Sequence, residues 1–326
     1  LTSVSNGTVY LYAVWQAQTY TVSFANGGGT GTMASQSFVH DVAQELTPNT
    51  LTREGYTFAG WNDGATTYVN GESISATANM TLTARWTPIS YSVKYDANGG
   101  TDSMGDQSFT YDTAQDLTIN TLSRIGYTFR GWNTKTAGTG TPYDDGASVN
   151  NLTTVNDETI TFYAQWTPIS YSVEYNANGG TGNMADQQYS YNAAQTLTPN
   201  VFSRIGYSFA GWNTAANGTG TSRADGTSVS NLTAIKDGIV TLYAVWTANT
   251  YTVTFANGGG TGTMENQSFT HDVASALNTN AFSKTGYIFA GWKEGTTTYV
   301  NGESISATAN MTLTAQWTPI SYSVKF

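Results

Sequence analysis

Few residues in this chain of 326 could act as nucleophile, general base or metal ligand. Cysteine is absent, which removes a disulfide framework, a thiolate metal site and a cysteine nucleophile together. The two histidines, His40 and His271, fall at matching places in two related segments, and the corresponding places elsewhere hold Tyr111 and Tyr191. A place that accepts His or Tyr alike fills space beside a strand. Acid–base or zinc chemistry would require the imidazole itself, with a second ligand at fixed spacing, and no such spacing occurs.

The acidic residues recur poorly. Asp96 has Asn176, Ala25 and Ala256 as its counterparts, and Asp144-Asp145-Gly146 is matched only in part by Asp225-Gly226. No segment alternates carboxylates ahead of a distal Glu as a calcium loop does. Gly27-Gly28-Gly29-Thr30-Gly31 and Gly258-Gly259-Gly260-Thr261-Gly262 are followed by no lysine and no helix start, so they read as turns and not as a phosphate cradle. A spontaneous Lys–Asn crosslink would need one lysine per segment, yet Lys94 is replaced by Ser23, Glu174 and Thr254. The expectation is a chain with no catalytic residue, no metal and no cofactor.

Two residue sets do recur. Arg53, Arg124, Arg204 and Lys284 each stand two residues before a Gly-Tyr pair, on a chain with only 12 Lys and Arg. Such a cation lies over its own Tyr or Trp or pairs with a carboxylate, or else it joins neighbouring segments and sets the twist between them. The tryptophans form two series. Trp61, Trp132, Trp212 and Trp292 end a Gly-Tyr-x-Phe-x-Gly-Trp signature, and Trp15, Trp86, Trp166, Trp246 and Trp317 close an alternating run such as Thr81-Leu82-Thr83-Ala84-Arg85-Trp86. Exposed, they would form a platform for stacking on sugar rings. Their fixed register among apolar neighbours favours a structural core, which a small unit without staples needs. The core set is Trp61, Trp86, Trp132, Trp166, Trp212, Trp246, Trp292 and Trp317.

Elements that position these residues follow from the spacing. A closing Trp precedes the next Gly-Trp by 46 residues every time (15 to 61, 86 to 132, 166 to 212, 246 to 292). The return distance is 25, 34, 34 and 25 residues, so a nine-residue insertion sits in the back half of the two middle units. It contains Ala-Gly-Thr-Gly-Thr-Pro at 137–142 and Asn-Gly-Thr-Gly-Thr-Ser at 217–222, and reads as one extended surface loop. A period of this size marks a tandem array. The expected boundaries are 16–86, 87–166, 167–246 and 247–317 for four repeats. Residues 1–15 are the closing strand of a preceding repeat, and residues 318–326 are the opening strand of a following one.

Each repeat opens with strict alternation, as in Tyr20-Thr21-Val22-Ser23-Phe24, the period of a half-buried strand. An Asn-Gly pair follows (Asn26-Gly27, Asn98-Gly99, Asn178-Gly179, Asn257-Gly258), which predicts a tight hairpin turn. A second strand is expected over Gln36–His40, a third over the Gly-Tyr-x-Phe-x-Gly-Trp run and a last one into the closing Trp. Leu46-Thr47-Pro48-Asn49-Thr50-Leu51 and its counterparts allow at most a short helix or one 3₁₀ turn.

Composition excludes several partners. A net charge of -10 with 10% charged residues disfavours nucleic acid and anionic surfaces, both of which need clustered Lys and Arg. No apolar stretch approaches the roughly 20 residues that span a bilayer, so no membrane insertion is expected in this segment. A surface of Thr, Ser, Asn and Gly suits an extracellular chain. The start, Leu-Thr-Ser-Val, is read as following a removed signal peptide or as lying inside a longer protein.

The full pattern is Tyr-x-Val-x-Phe/Tyr, Asn-Gly-Gly-Thr-Gly, Leu-x-x-Asn, Arg-x-Gly-Tyr-x-Phe-x-Gly-Trp-Asn-Thr and Leu-Tyr-Ala-x-Trp. It resembles the Listeria–Bacteroides repeat, the B-repeat type of module found in internalin B and in many large bacterial surface proteins. The resemblance implies a mainly β fold, α+β at most, built as a tandem array of four β-grasp-like, ubiquitin-like units. It also implies an extracellular, bacterial-surface location and a stalk, fibre or adhesive role without enzymatic activity. Repeats 1 and 4 lack the Asn-Thr-x-x-x-Gly-Thr-Gly-Thr segment, and the chain is acidic where glycosaminoglycan-binding members are basic, so that activity is not carried over.

In a β-grasp unit, as the resemblance implies, the first and last strands are parallel neighbours that shear together under tension. Four units in line would reach about 120 Å. Expected partners are neighbouring repeats or copies of the same chain, together with a host or microbial surface glycan or protein. At the ends, Val9, Tyr10, Leu11 and Tyr12 and also Tyr322, Val324 and Phe326 are candidate strands for pairing between chains, with a window cut from a longer array as the alternative. A carbohydrate-binding array using exposed aromatics is the competing function.

Overall fold

The computed structural model describes residues 3–326, and it divides into two compact units, Leu1–Thr167 and Pro168–Phe326, each holding two repeats. Among the described residues the structure is entirely strand, turn and irregular chain. Repeat 1 shows the plan. Its strands are β1 (Thr19–Ala25), β2 (Gln36–Val39), β3 (Gln44–Glu45), β4 (Tyr56–Asn62), β5 (Thr67–Tyr68), β6 (Ser73–Ile74) and β7 (Met80–Pro88). Five of them form a sheet in the order β2-β1-β7-β4-β5, while β3 and β6 make a separate two-stranded ribbon. The same order recurs in the other three repeats.

The opening strand β1 and the closing strand β7 lie side by side and parallel, with Val22 opposite Met80 and Ala25 opposite Thr83. Their neighbours are antiparallel: β2 pairs with β1, and β4 pairs with β7. A bulge between Phe58 and Gly60 in β4 is repeated between Phe209 and Gly211 and between Phe289 and Gly291. It shifts the strand by one residue and puts the following Trp on the inner face.

One apolar cluster fills each repeat. In repeat 1 it comprises Val22, Phe38, Leu46, Leu51, Trp61, Ile74, Ala76, Leu82 and Ala84. Trp61, Trp132, Trp212 and Trp292 are at most 1% exposed and carry the largest buried side chains. Each is wedged among aromatic rings, as Trp61 is between Phe24 at 4.8 Å and Phe58 at 5.0 Å. Fully burying so large a ring removes 150–250 Å² from water, an upper limit of about 4–6 kcal/mol per indole. The second series is half-buried and works differently. Trp86 Nε1 donates to Asn26 O at 2.8 Å, and Trp166, Trp246 and Trp317 make the same bond to Ala97, Ala177 and Asn257. The closing strand is thereby tied to the turn that follows the opening strand. Trp15, by contrast, is 90% exposed.

Four expectations change. First, the nine-residue insertion is two insertions. Trp61 pairs with Tyr68 and Trp132 with Tyr143, so the β4–β5 hairpin gains four residues in repeat 2. The other five lengthen the approach to the closing strand, within 150–158. Only their sum shows in the distance between tryptophans. Second, the tight turn holds at Asn98-Gly99 and Asn178-Gly179, where φ is positive at both residues, but in repeats 1 and 4 it falls one residue later, on Gly27-Gly28 and Gly258-Gly259. The strands it follows are not joined by it alone, because the connection runs on to Gln36.

Third, the segment over Leu46–Leu51 forms no helix. The Asn49 side chain brackets Leu51, accepting from its N–H and donating to its C=O at 3.0 Å, and holds the chain extended. Pro48 adds a residue that cannot donate. The Gln36 amide fixes the same stretch, donating to Glu45 O at 2.7 Å and accepting from Thr47 N at 2.9 Å. Fourth, the second strand ends at Val39, one residue before His40.

At the ends, Leu1 and Thr2 of the expected closing strand lie outside the described residues. Ser3–Gln18 contains no strand, and Val9, Tyr10, Leu11 and Tyr12 are exposed. The last strand reaches Pro319, leaving Tyr322, Val324 and Phe326 exposed and outside any strand. Strand hydrogen bonds need a second strand, and the described residues place none there.

Candidate functional site

Where one repeat hands over to the next within a unit, a recurring set of residues converges. The joint between repeats 1 and 2 is a single residue, Ile89, between the closing strand Met80–Pro88 and the next opening strand Ser90–Asp96. Ile89 N donates to Gly55 O at 3.0 Å in repeat 1, and Ile89 O accepts from Tyr111 N at 3.0 Å in repeat 2. Its side chain is buried. The joint between repeats 3 and 4 repeats this with Asn249, which donates to Gly206 O and accepts from His271 N, both at 2.9 Å.

Around this backbone link sits a polar cluster. Tyr56 Oη donates to Asp112 Oδ2 at 2.7 Å, from repeat 1 to repeat 2, and the Tyr56 and Tyr111 rings meet edge to face at 5.9 Å. Tyr207 reaches Asp272 at 3.1 Å and stands edge-on to His271 at 5.3 Å. Gly55 and Gly206 have φ of +73° and +76°, and a Cβ at either would overlap the Tyr111 or His271 ring. Glycine is required there by conformation and by space. Asp112 and Asp272 hold positive φ as well, at 59° and 60°, turning the chain so that the carboxylate faces back across the joint.

Electrostatics follow the hydrogen bond. The Tyr56 phenol is shifted above its ordinary value, chiefly because its proton is held by Asp112. The Asp112 carboxyl is shifted below its own, first by that bond and then by the Asn151 amide. Asn151 Nδ2 donates to Asp112 Oδ1 at 2.8 Å.

Two of the recurrent cations, Arg53 and Arg204, belong to this cluster. Arg53 lies 3.7 Å over the Tyr56 ring, Arg124 4.1 Å over Tyr127, Arg204 3.9 Å over Tyr207 and Lys284 4.4 Å over Tyr287. Each cation therefore covers a tyrosine of its own repeat, and for Arg53 and Arg204 that tyrosine reaches into the next repeat. The stack is within the repeat, and the contact across the joint is made by the tyrosine and not by the cation. Sequence reasoning missed the joint role of Tyr111 and His271. The available signal was the following residue, Asp41, Asp112, Asn192 or Asp272, an Asx at every copy.

Two other places gather polar side chains. A shallow cleft of about 400 Å³ opens beside the lengthened hairpin of repeat 2, lined by Arg130, Tyr143, Asp144 and Gln165. Its Arg130 corresponds to Ala59, Ala210 and Ala290, so the cleft's polar lining is not a feature of the array. Among the described residues, no three His, Asp or Glu side chains gather as a metal site would require, and the His40 and His271 imidazoles lie 3.2 and 3.4 Å from the carboxylates of Asp41 and Asp272. Asp145, part of the Asp-Asp-Gly segment, accepts from Asn120 N at 2.8 Å and so holds a loop. No described helix is long and apolar enough to cross a membrane.

Comparison with known proteins bears on the array as a whole. The family model of the Listeria-Bacteroides repeat domain matches residues 20–85, 91–165, 171–245 and 251–316. A protein of Evansella cellulosilytica named as a Gly-rich membrane protein is 30% identical over 301 residues, 85% of this chain and 32% of its own length. Internalin H of Listeria monocytogenes is 32% identical over 124 residues, 37% of this chain and 21% of its own length. The chain thus spans a third or less of these relatives. The solved TIE protein of Bacillus anthracis aligns with 94% of this chain and 76% of its own at a TM-score of 0.30 and 7% identity. With the family model covering all four repeats, the chain belongs to the Listeria-Bacteroides repeat family.

Proposed function

We propose that this chain is a load-bearing spacer, the stalk or fibre region of a bacterial surface adhesin, and that it carries no enzymatic activity. The observation that carries the reading is the one-residue joint. Ile89 is hydrogen-bonded to both repeats it connects and buried between them, with Tyr56 and Asp112 closed over it. Linkers that let domains turn freely are long and rich in Gly and Ser, whereas this one leaves no free rotor. The parallel pairing of first and last strands in each repeat supports the load-bearing part, because tension along the chain shears the row of hydrogen bonds as a set. The same topology supports a β-grasp-like unit in which an extended segment crosses the sheet in place of a helix.

The family and the naming of its relatives support an extracellular, cell-surface setting, with a surface glycan or protein as the partner of the parent molecule. A sugar platform built on tryptophan finds less support. The Gly-Trp indoles lie inside the core and the closing Trp series is engaged with the neighbouring turn. Residual dipolar couplings test the spacer. Repeats 1 and 2 of the intact chain should share one alignment tensor, and independent tensors would mean a flexible joint and defeat the proposal.

A further inference from the structure

The opening and closing strands are not paired to the same extent in every repeat. In repeats 1 and 4 the parallel row has four residue pairs, from Val22↔Met80 to Ala25↔Thr83 and from Val253↔Met311 to Ala256↔Thr314. In repeat 2 it has five, from Ser92↔Thr159 to Asp96↔Tyr163, and in repeat 3 six, from Tyr171↔Gly238 to Asn176↔Tyr243. The difference has a definite source, the five-residue lengthening ahead of the closing strand.

That lengthening carries the row back to the start of the opening strand. In repeat 2, Asp157 N donates to Ser90 O at 2.8 Å and Ser92 N to Glu158 O at 2.9 Å. In repeat 3, Asp237 N donates to Ser170 O at 2.8 Å, and Ser170 Oγ donates to Asp237 Oδ1 at 3.0 Å. Repeats 1 and 4 have a single side chain at this place. Asn79 Oδ1 accepts from Thr21 N, and Asn310 Oδ1 from Thr252 N, both at 2.8 Å, and the first three residues of those opening strands have no closing-strand partner.

A hydrogen bond contributes little singly, but a parallel row loaded in shear must lose its members together. The longer row therefore holds to a higher force. We propose that the array yields in two stages: repeats 1 and 4 extend first under tension, and repeats 2 and 3 hold until a higher force. Extension of the weaker pair lowers the load on the stronger pair, so the chain gives ground before its middle repeats fail. This inference rests on the load-bearing reading of the array.

The two classes differ in length as well as strength, which lets one experiment assign them. The intact chain is held by its ends in an optical trap and drawn out at constant speed. Nine additional residues at about 3.3–3.6 Å each make the release from a middle repeat about 3 nm longer. The expected record has two low-force events of shorter release, followed by two high-force events of longer release. Four events in one high-force class, or the longer releases at the lower force, would overturn the two-stage proposal while leaving the load-bearing reading intact. Yielding of every repeat no harder than an antiparallel hairpin would overturn both.

A graft checks the cause. With residues 150–159 replaced by the Ser-Ala-Thr-Ala-Asn of 75–79, one high-force event should move to the low-force class with a shorter release. An unmoved event would overturn the assignment to this segment. The reciprocal graft, 150–159 in place of 306–310, should raise one low-force event and lengthen its release, which reads the same point from the other class of repeat; an unmoved event would overturn the assignment.

Discussion

The phenol of Tyr56 donates a 2.7 Å hydrogen bond to the carboxylate of Asp112, in the following repeat, while Arg53 lies over the phenol's ring. One tyrosine thereby links the cation of its own repeat to the anion of the next. The covalent joint between the two repeats is one residue long.

This bond sets a pH window for the joint. The Asp112 carboxyl is held below its ordinary 3.8 by the Tyr56 phenol and the Asn151 amide, so its contribution is present above about pH 3.8 and is lost as pH falls through the lowered value. The Tyr56 phenol is held above 10.0, chiefly by Asp112, so its contribution is present below about pH 10 and is lost as pH rises through the raised value. Coupling of repeats 1 and 2, read as a shared alignment tensor, should weaken outside that range. Tyr56→Phe should weaken it within that range and abolish the alkaline step.

Gly55→Val is expected to loosen the same joint by sterics. A β-branched residue at a φ of +73° is strained by about 1–2 kcal/mol, and its Cβ overlaps the Tyr111 ring. Repeats 1 and 2 should remain folded, by dispersion of their core methyl resonances, while their alignment tensors separate. Gly286→Val meets the same φ, +76°, but no atom within 4 Å, and should show the strain without the clash.

Trp132→Ala should unfold repeat 2 and spare repeat 1. The indole is 1% exposed at the centre of that repeat's cluster, and truncation of such a ring costs about 3–5 kcal/mol, comparable to the whole stability of a domain this small. Limited proteolysis should cut within 91–166 first. Trp166→Ala should cost less, because that ring is only half-buried at the edge of the cluster, where it loses its packing on Phe129 and the bond from Nε1 to Ala97 O.

Arg53→Ala removes a stack over Tyr56 that is worth about 0.5–1 kcal/mol at an exposed site. Arg53→Lys should restore part of it, since Lys284 occupies the same place over Tyr287. Thermal melts of the two variants against the parent chain measure the difference.

The repeat length, the alternating opening strand and the deep burial of the Gly-Trp series can be read from residue spacing. Spacing reports the faces of an unbroken strand directly, as at Val22, whereas Trp61 reaches the core through the bulge between Phe58 and Gly60. What spacing hides is where length is inserted. The distance from Trp132 to Trp166 is the same whether nine residues enter at one point or at two, and only the pairing of Trp132 with Tyr143 separates the cases. The joint was hidden for another cause. Tyr111 and His271 differ chemically, and what they share is a place against a glycine of the preceding repeat, Gly55 or Gly206, more than 50 residues earlier. The extended path at Leu46–Leu51 depends on an Asn bracket that propensity does not register.

The load-bearing claim is tested most directly by pulling the same repeat in two directions. The chain has no cysteine, so Thr57→Cys with Thr87→Cys places both handles on one antiparallel pair, where β4 and β7 separate rung by rung. In the other geometry the handles are at the ends of the intact chain, and β1 and β7 slide past each other along Val22↔Met80 to Ala25↔Thr83. The account predicts that end-to-end pulling requires a severalfold higher force to open repeat 1 than peeling does. Equal forces in the two directions would contradict it.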